Sequence, residues 1–237
     1  MTRRLPRRWS GAALLAGALG LLPVLASANS IPLTSSHLTT LTSCGLMSYP
    51  ATAALTNDAY VNQLTPNTTN AGNVNLSVSS ALLNNARTYI RFPLTSCLSA
   101  IPVSATVRSA TLRLFASVLA LSCRTVDVFT VLANWSDTTI TWNNQPYGPS
   151  INNPASGLRI YSTQIGGAPC TNQAPSAYIN FDVTSDVAKF VVGTATNYGW
   201  MLRDDAESSL IPQTTSFASR SNNVAAQAPT LMVSYTT

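Results

Sequence analysis

Apolar residues recur along this chain at every second position in short runs, and clusters of Asn, Ser, Thr, Gly and Pro separate the runs. Alternation with period two sends successive side chains to opposite faces of an extended strand, so each run reads as a strand with one buried face. From Asp58 onward the runs are Ala59 to Gln63, Val74 to Ser80, Arg87 to Leu94, Thr106 to Leu119, Thr125 to Leu132, Thr138 to Trp142, Leu158 to Ile165, Ala177 to Thr184, Tyr198 to Arg203, Thr215 to Arg220 and Thr230 to Tyr235. Two of them, Leu158 to Ile165 and Thr215 to Arg220, are nearly as polar as loops. Many short strands at this spacing predict an all-β, jelly-roll-like antiparallel β-sandwich. One short helix interrupts them. Thr184 or Ser185 can cap it, Asp186 stands in the first turn where the helix dipole favours negative charge, and Gly193 follows as a terminator. Val187, Phe190 and Val191 share one face, so the helix should cover an end of the sandwich.

The alternation also assigns faces. Ile179, Phe181 and Val183 point to the core while Asn180 and Asp182 point away, and Trp142, on the same face as Ile140, reads as a buried anchor rather than a sugar platform. Ile90, Phe92 and Leu94 likewise face the core. Arg87, Tyr89 and Arg91 then line the opposite surface, and Arg113 holds the corresponding position beside Leu112 and Leu114. If the two strands pair, guanidinium groups surround a tyrosine ring. Arg bonds carboxylates in a planar, bidentate way, and an aromatic face suits the apolar side of a sugar, so these four residues are the candidate ligand-binding set. The competing reading is a solvent-facing ladder whose Arg stems cover the sheet and pair with Asp182. Tyr147, Tyr161 and Trp200 are the next candidates.

The N-terminus changes the charge reading. Arg3, Arg4, Arg7 and Arg8 precede the apolar stretch Gly11 to Leu25, and Ala26-Ser27-Ala28 supplies a small-residue cleavage pattern, so residues 1–28 read as a secretory signal peptide. The apolar run is too short to anchor in a bilayer, and no membrane insertion is expected after cleavage. Residues 29–57, rich in Ser, Thr and Leu, read as an extended leader before a domain spanning 58–237. Four of the 13 basic residues lie in the signal peptide, leaving nine against eight acids. Nine dispersed cations form no clustered basic surface, which excludes nucleic acid as a partner. In a secreted, extracellular chain, Cys44, Cys97, Cys123 and Cys170 are expected to form two disulfides; three connectivities are possible, and the strand layout favours Cys123 with Cys170 and Cys44 with Cys97.

Catalytic chemistry finds little to work with. The only histidine, His37, precedes the domain, and no GxSxG, HExxH or GxxxxGK[ST] motif occurs. Paired carboxylates are the remaining route, through Asp204, Asp205 and Glu207 or Asp182 and Asp186, but acids after a strand are usually a solvated loop. The same acids offer oxygen ligands for Ca²⁺, without EF-hand spacing. No catalytic residue and no obligatory cofactor is expected.

Several segments match one pattern in order and spacing: Asp58-Ala59-Tyr60-Val61, Tyr89-Ile90-Arg91-Phe92, Ala105 to Leu114, Trp135-Ser136-Asp137 followed by Thr139 to Asn143, Phe181-Asp182-Val183-Thr184, Asn197-Tyr198-Gly199-Trp200 and Ala228 to Val233. Together they resemble the DNRLRE-type domains, which include the family-96 carbohydrate-binding modules and are similar to disaggregatase-related repeats. The resemblance covers Asp58 to about Tyr235. It implies a jelly-roll sandwich that binds polysaccharide, in some members an acidic one such as alginate. Pro93 and Ser221 stand where the pattern leads us to expect acids, so any role those acids play in relatives does not carry over. The leading expectation is a non-catalytic polysaccharide-binding module; a structural or adhesive envelope protein and a polysaccharide-degrading enzyme are the alternatives.

Overall fold

The computed structural model describes residues 40–45, 57–96, 101–151 and 158–237. The expected signal peptide and most of the leader lie outside them. The strands are β1 (Thr40–Gly45), β2 (Asn57–Asn62), β3 (Asn75–Ser80), β4 (Ala86–Arg91), β5 (Thr106–Val118), β6 (Arg124–Thr130), β7 (Arg159–Ile165), β8 (Ala177–Asp182), β9 (Trp200–Asp204), β10 (Gln213–Ala218) and β11 (Thr230–Thr236), with one α-helix, α1 (Thr184–Val191), between β8 and β9. Both polar runs form strands, as β7 and β10. Thr138 to Trp142 does not: it is a series of turns, held by Asn144 Oδ1, which accepts from the Thr141 N–H at 2.7 Å, and by Asn144 Nδ2, which donates to the Thr139 carbonyl at 2.9 Å. The leader contributes β1, which pairs with β11 from Thr40 opposite Tyr235 to Gly45 opposite Thr230.

All pairings between these strands are antiparallel, and they form one curled sheet that closes as a sandwich. One layer runs β2-β4-β9-β6-β7; the other carries β1, β11, β5 and β8, extended by β10 and β3. A single pair, Ser79 with Ala86, joins β3 to β4 and so connects the layers. Between them lie Ile90, Trp200, Leu202, Val126 and Val128 from the first layer, packed with Leu112, Leu114, Ile179, Phe181, Phe217, Leu231 and Val233 from the second. Removing each such side chain from water contributes about 1.5–3 kcal/mol, which makes this the main source of stability.

Helix α1 buries Val187, Phe190 and Val191 against this core, as their spacing predicts. Its Asp186 is buried, accepting from Thr130 Oγ1 at 2.5 Å and Trp200 Nε1 at 3.1 Å, and so pins the helix to β6 and β9. Cys123 and Cys170 form the expected disulfide, with 5.1 Å between their Cα atoms. Cys97 and the Cys44 side chain lie outside the described residues, so the second expected bridge does too.

Candidate functional site

A second apolar cluster explains what became of the arginine ladder. On the face of the first layer turned away from the central core, Ala59, Val61, Tyr89, Phe129 and Met201 pack with Val131, Trp135, Ile140 and Trp142 from the β6–β7 connection. The alternation within β4 is the expected one, but its outer face is covered by protein. Arg87 and Tyr89 are both wholly buried, which corrects the expectation that they line an exposed surface. Arg87 donates through Nε and Nη2 to the two Glu207 oxygens at 2.6 and 2.8 Å, through Nη1 to Gln145 Oε1 and the Gly148 carbonyl, and through Nη2 to the Ser150 carbonyl. Its guanidinium carbon lies 4.7 Å from the centre of the Trp142 ring, so Trp142 is the anchor its sequence position indicated. The Tyr89 hydroxyl donates to Gln145 Oε1 at 2.9 Å, and burial pushes its pKa well up. These groups satisfy one another inside the protein.

The strands of the expected set do not pair. β4 neighbours β2, β3 and β9, whereas β5 neighbours β8, β10 and β11, so Arg91 and Arg113 sit on different layers. Asp182 lies opposite Thr111 of β5 rather than beside an arginine of β4. Of the further candidates, Trp200 is fully buried, Tyr161 packs edge-on against Phe181, and the Tyr147 hydroxyl donates to the Thr130 carbonyl. Trp200 is therefore no sugar platform, while Tyr161 and Tyr147 are half-buried against the central and outer clusters.

Arg91 is different. It is half-buried on the wall of a groove of about 430 Å³, with Asn57, Thr95 and Asn197 as the polar neighbours and Pro93, Leu94 and Phe190 as the apolar ones. Its Nη1 donates to Asn134 Oδ1 at 3.0 Å, and its guanidinium carbon lies 5.7 Å from the Trp135 ring centre. Partial burial lowers its pKa, with the Asp137 charge opposing the shift, so the cation is incompletely hydrated before any ligand arrives. The groove walls are fixed from behind. Asn57 Nδ2 donates to the Trp135 carbonyl, Trp135 Nε1 to the Tyr198 carbonyl, and Asn197 Nδ2 to the Phe92 carbonyl. Gly199 has φ of 79°, and a Cβ there would collide with the Ile90 carbonyl oxygen and the Arg91 Cα. Only glycine lets the start of β9 approach Arg91 so closely.

Elsewhere, one guanidinium serves two buried carboxylates. Arg220 Nε is 3.3 Å from Asp58 Oδ1, the Arg220 N–H donates to Asp58 Oδ2 at 2.7 Å, and Nη2 bonds Asp137. Burial raises the Asp58 pKa to about 6, because a single cation shared by two acids compensates only part of the desolvation. Of the acids considered for catalysis or Ca²⁺, Asp204 and Asp205 share Arg124, and Glu207 pairs with Arg87. Among the described residues, no three His, Cys, Asp or Glu side chains gather in a metal-holding group.

This groove-bearing sandwich matches the model of carbohydrate-binding module family 96 over residues 49–235. The chain belongs to that family. A search of curated proteins found no match. As a family-96 module, the chain uses many of its most recognisable segments to build its frame: Asp58 of β2, Asp137 after Trp135 and the half-buried Arg220 form the ion triad, and Gly199 seats β9 on β4. Pro93, which replaces an expected acid, lies in the groove wall. The one signal in the sequence for the covering segment is its aromatic content, Trp135, Trp142 and Tyr147 within an otherwise polar, turn-rich stretch. Asn57, Thr95, Asn197 and Phe190, which complete the groove, carry no pattern that marks them as neighbours.

Proposed function

We propose that this carbohydrate-binding module is exported, does not cleave its ligand, and holds an acidic polysaccharide in the Arg91 groove. The observation that carries the reading is the half-buried, pre-positioned guanidinium of Arg91 in a groove also lined by the amides of Asn57 and Asn197, the Thr95 hydroxyl and the apolar Pro93, Leu94 and Phe190. A uronate ring presents the complement, a carboxylate edge, hydroxyl groups and an apolar C–H face. A poorly hydrated guanidinium gives up little water to bond a carboxylate, and walls already tied by hydrogen bonds lose little entropy on binding. The Cys123–Cys170 bridge and the N-terminal signal pattern support an oxidising, extracellular setting. The non-catalytic reading is supported by the pairing of Asp204 and Glu207 with arginines.

A glycan array probed with the secreted protein tests the proposal, with the bound polymers then incubated and assayed for new reducing ends and unsaturated sugars. Retention on uronate polymers that weakens with salt, without product release, is the expected result. Failure to bind any uronate polymer, or release of oligosaccharides, refutes it.

A further inference from the structure

We infer that the outward face of β5 and β8 is a second polysaccharide-contact surface, one that takes a neutral sugar chain. The inference rests on the reading of this chain as a polysaccharide binder but not on the Arg91 groove. The pairing of β5 with β8 sets Thr111 opposite Asp182, Arg113 opposite Asn180 and Phe115 opposite Tyr178. The residues between them, Leu112, Leu114, Ile179 and Phe181, are buried, so these three pairs point outward; Asn180 and Asp182 are exposed and the other four half-buried. The outer face of β4 lies under the β6–β7 connection, whereas this face remains accessible.

Its side chains are held in place before any ligand binds. The Arg113 guanidinium carbon lies 4.3 Å from the centre of the Tyr178 ring, and Nη1 donates to Met232 Sδ at 3.6 Å. Phe115 meets Tyr178 edge-on with 5.5 Å between ring centres, and the Tyr178 hydroxyl donates to the Ala226 carbonyl. Phe115, Tyr178 and Met232 thus form an apolar floor, which the Arg113 guanidinium covers in part. Over it stand donors on Arg113 and Asn180 and acceptors on Asn180 and on Asp182 Oδ2, the Asp182 Oδ1 already accepting from the Thr184 N–H and hydroxyl. Outward positions along a strand are about 7 Å apart, so the three pairs extend over about 14 Å, enough for a short run of sugar rings.

The charge balance selects the ligand. Arg113 in the middle pair and Asp182 in the end pair give the face one positive and one negative group, and a uronate lying along it would meet the Asp182 carboxylate. Hydroxyl groups of a neutral polymer can instead donate to Asp182 and Asn180 and accept from Arg113 and Asn180, while the C–H face of the ring lies on the apolar floor.

The test is affinity electrophoresis of the secreted protein in soluble neutral glucan, mannan and xylan, with a uronate polymer run in parallel, for the wild type, Tyr178→Ala, Asn180→Ala and Arg91→Ala. Melting curves accompany each variant, and Asn180→Ala, on the exposed face, is the control should Tyr178→Ala fold poorly. The expected result is retardation by at least one neutral polymer that is insensitive to salt, is reduced tenfold or more by Tyr178→Ala and Asn180→Ala, and survives Arg91→Ala. No neutral polymer bound by the wild type, or neutral binding that survives both face variants, overturns the inference. If uronate binding is nevertheless lost in Arg91→Ala, the groove reading stands alone; if only neutral binding appears, and the face variants abolish it, the groove reading falls and this one stands.

Discussion

Replacing Glu207 by Gln tests whether the β4 arginine ladder is frame or binding surface. Both partners of the Arg87–Glu207 pair have fully buried side chains, so the substitution removes the negative charge that compensates Arg87 while keeping side-chain volume nearly constant. Arg87 keeps Gln145 Oε1 and the Gly148 and Ser150 carbonyls as acceptors, and Arg203, 3.6 Å from Glu207, loses a nearby anion as well. Removing one partner of a buried pair costs about 3–5 kcal/mol, because the remaining charge stays desolvated. For a domain of this size 1 kcal/mol shifts the melting temperature by about 2–4 °C, so the variant should melt about 6–20 °C lower. Replacing both partners by apolar residues, Arg87→Met with Glu207→Leu, should recover much of the loss, since the Arg87 charge leaves with its partner and Arg203 keeps Asp127 at 3.8 Å. Urea unfolding of the wild type, Arg87→Met, Glu207→Leu and the double variant gives the coupling energy directly. If Glu207→Gln or Arg87→Met leaves stability unchanged and instead abolishes polysaccharide binding, the assignment of these residues to the interior is wrong.

Trp142→Ala removes the ring beneath Arg87 and should cost about 3–5 kcal/mol by urea unfolding, with binding by the folded fraction retained. Cys170→Ser opens a bridge between residues 47 positions apart, and the loop-entropy relation gives a loss of about 4 kcal/mol, to be measured against the wild type by calorimetry. For Asp58, the folded pKa of about 6 lies above the ordinary 3.8, so the native state holds the proton more tightly than the unfolded chain. Its contribution is therefore present at acid pH and is lost as pH rises from about 4 to about 6, a change of about 3 kcal/mol. Asp58→Asn should flatten that part of the stability profile relative to wild type, and parallel profiles for the two proteins would contradict the assignment.

The alternation of Ile90 with Arg87, Tyr89 and Arg91 showed which β4 residues share a face, and the structure keeps that division. What alternation does not report is whether a polar face meets water or protein. Arg87 and Tyr89 are buried because a non-periodic segment folds over them, and Gln145 and Glu207, which satisfy them, are 58 and 120 residues away in sequence. Strand order was hidden for a similar reason: the outward position of Arg113 is legible in Leu112-Arg113-Leu114, but nothing local says that β5 pairs with β8 rather than β4. The same parity that identified Asn180 and Asp182 as outward residues also places Tyr178 outward, so the aromatic floor of the β5–β8 face was available in the sequence. By contrast, Thr138 to Trp142 copied the period of a strand within turns, where the burial of Ile140 and Trp142 comes from the covering segment's own packing.

The most direct test of the proposed groove is calorimetric titration of a uronic-acid oligosaccharide into the folded, disulfide-bonded protein and into Arg91→Ala, at low and high salt. A charge-assisted hydrogen-bonded pair is worth about 1.5–3 kcal/mol, so Arg91→Ala should weaken binding about 10- to 150-fold, with unchanged melting and a smaller salt dependence than the wild type. Equal affinity of the two proteins for the oligosaccharide would contradict the account.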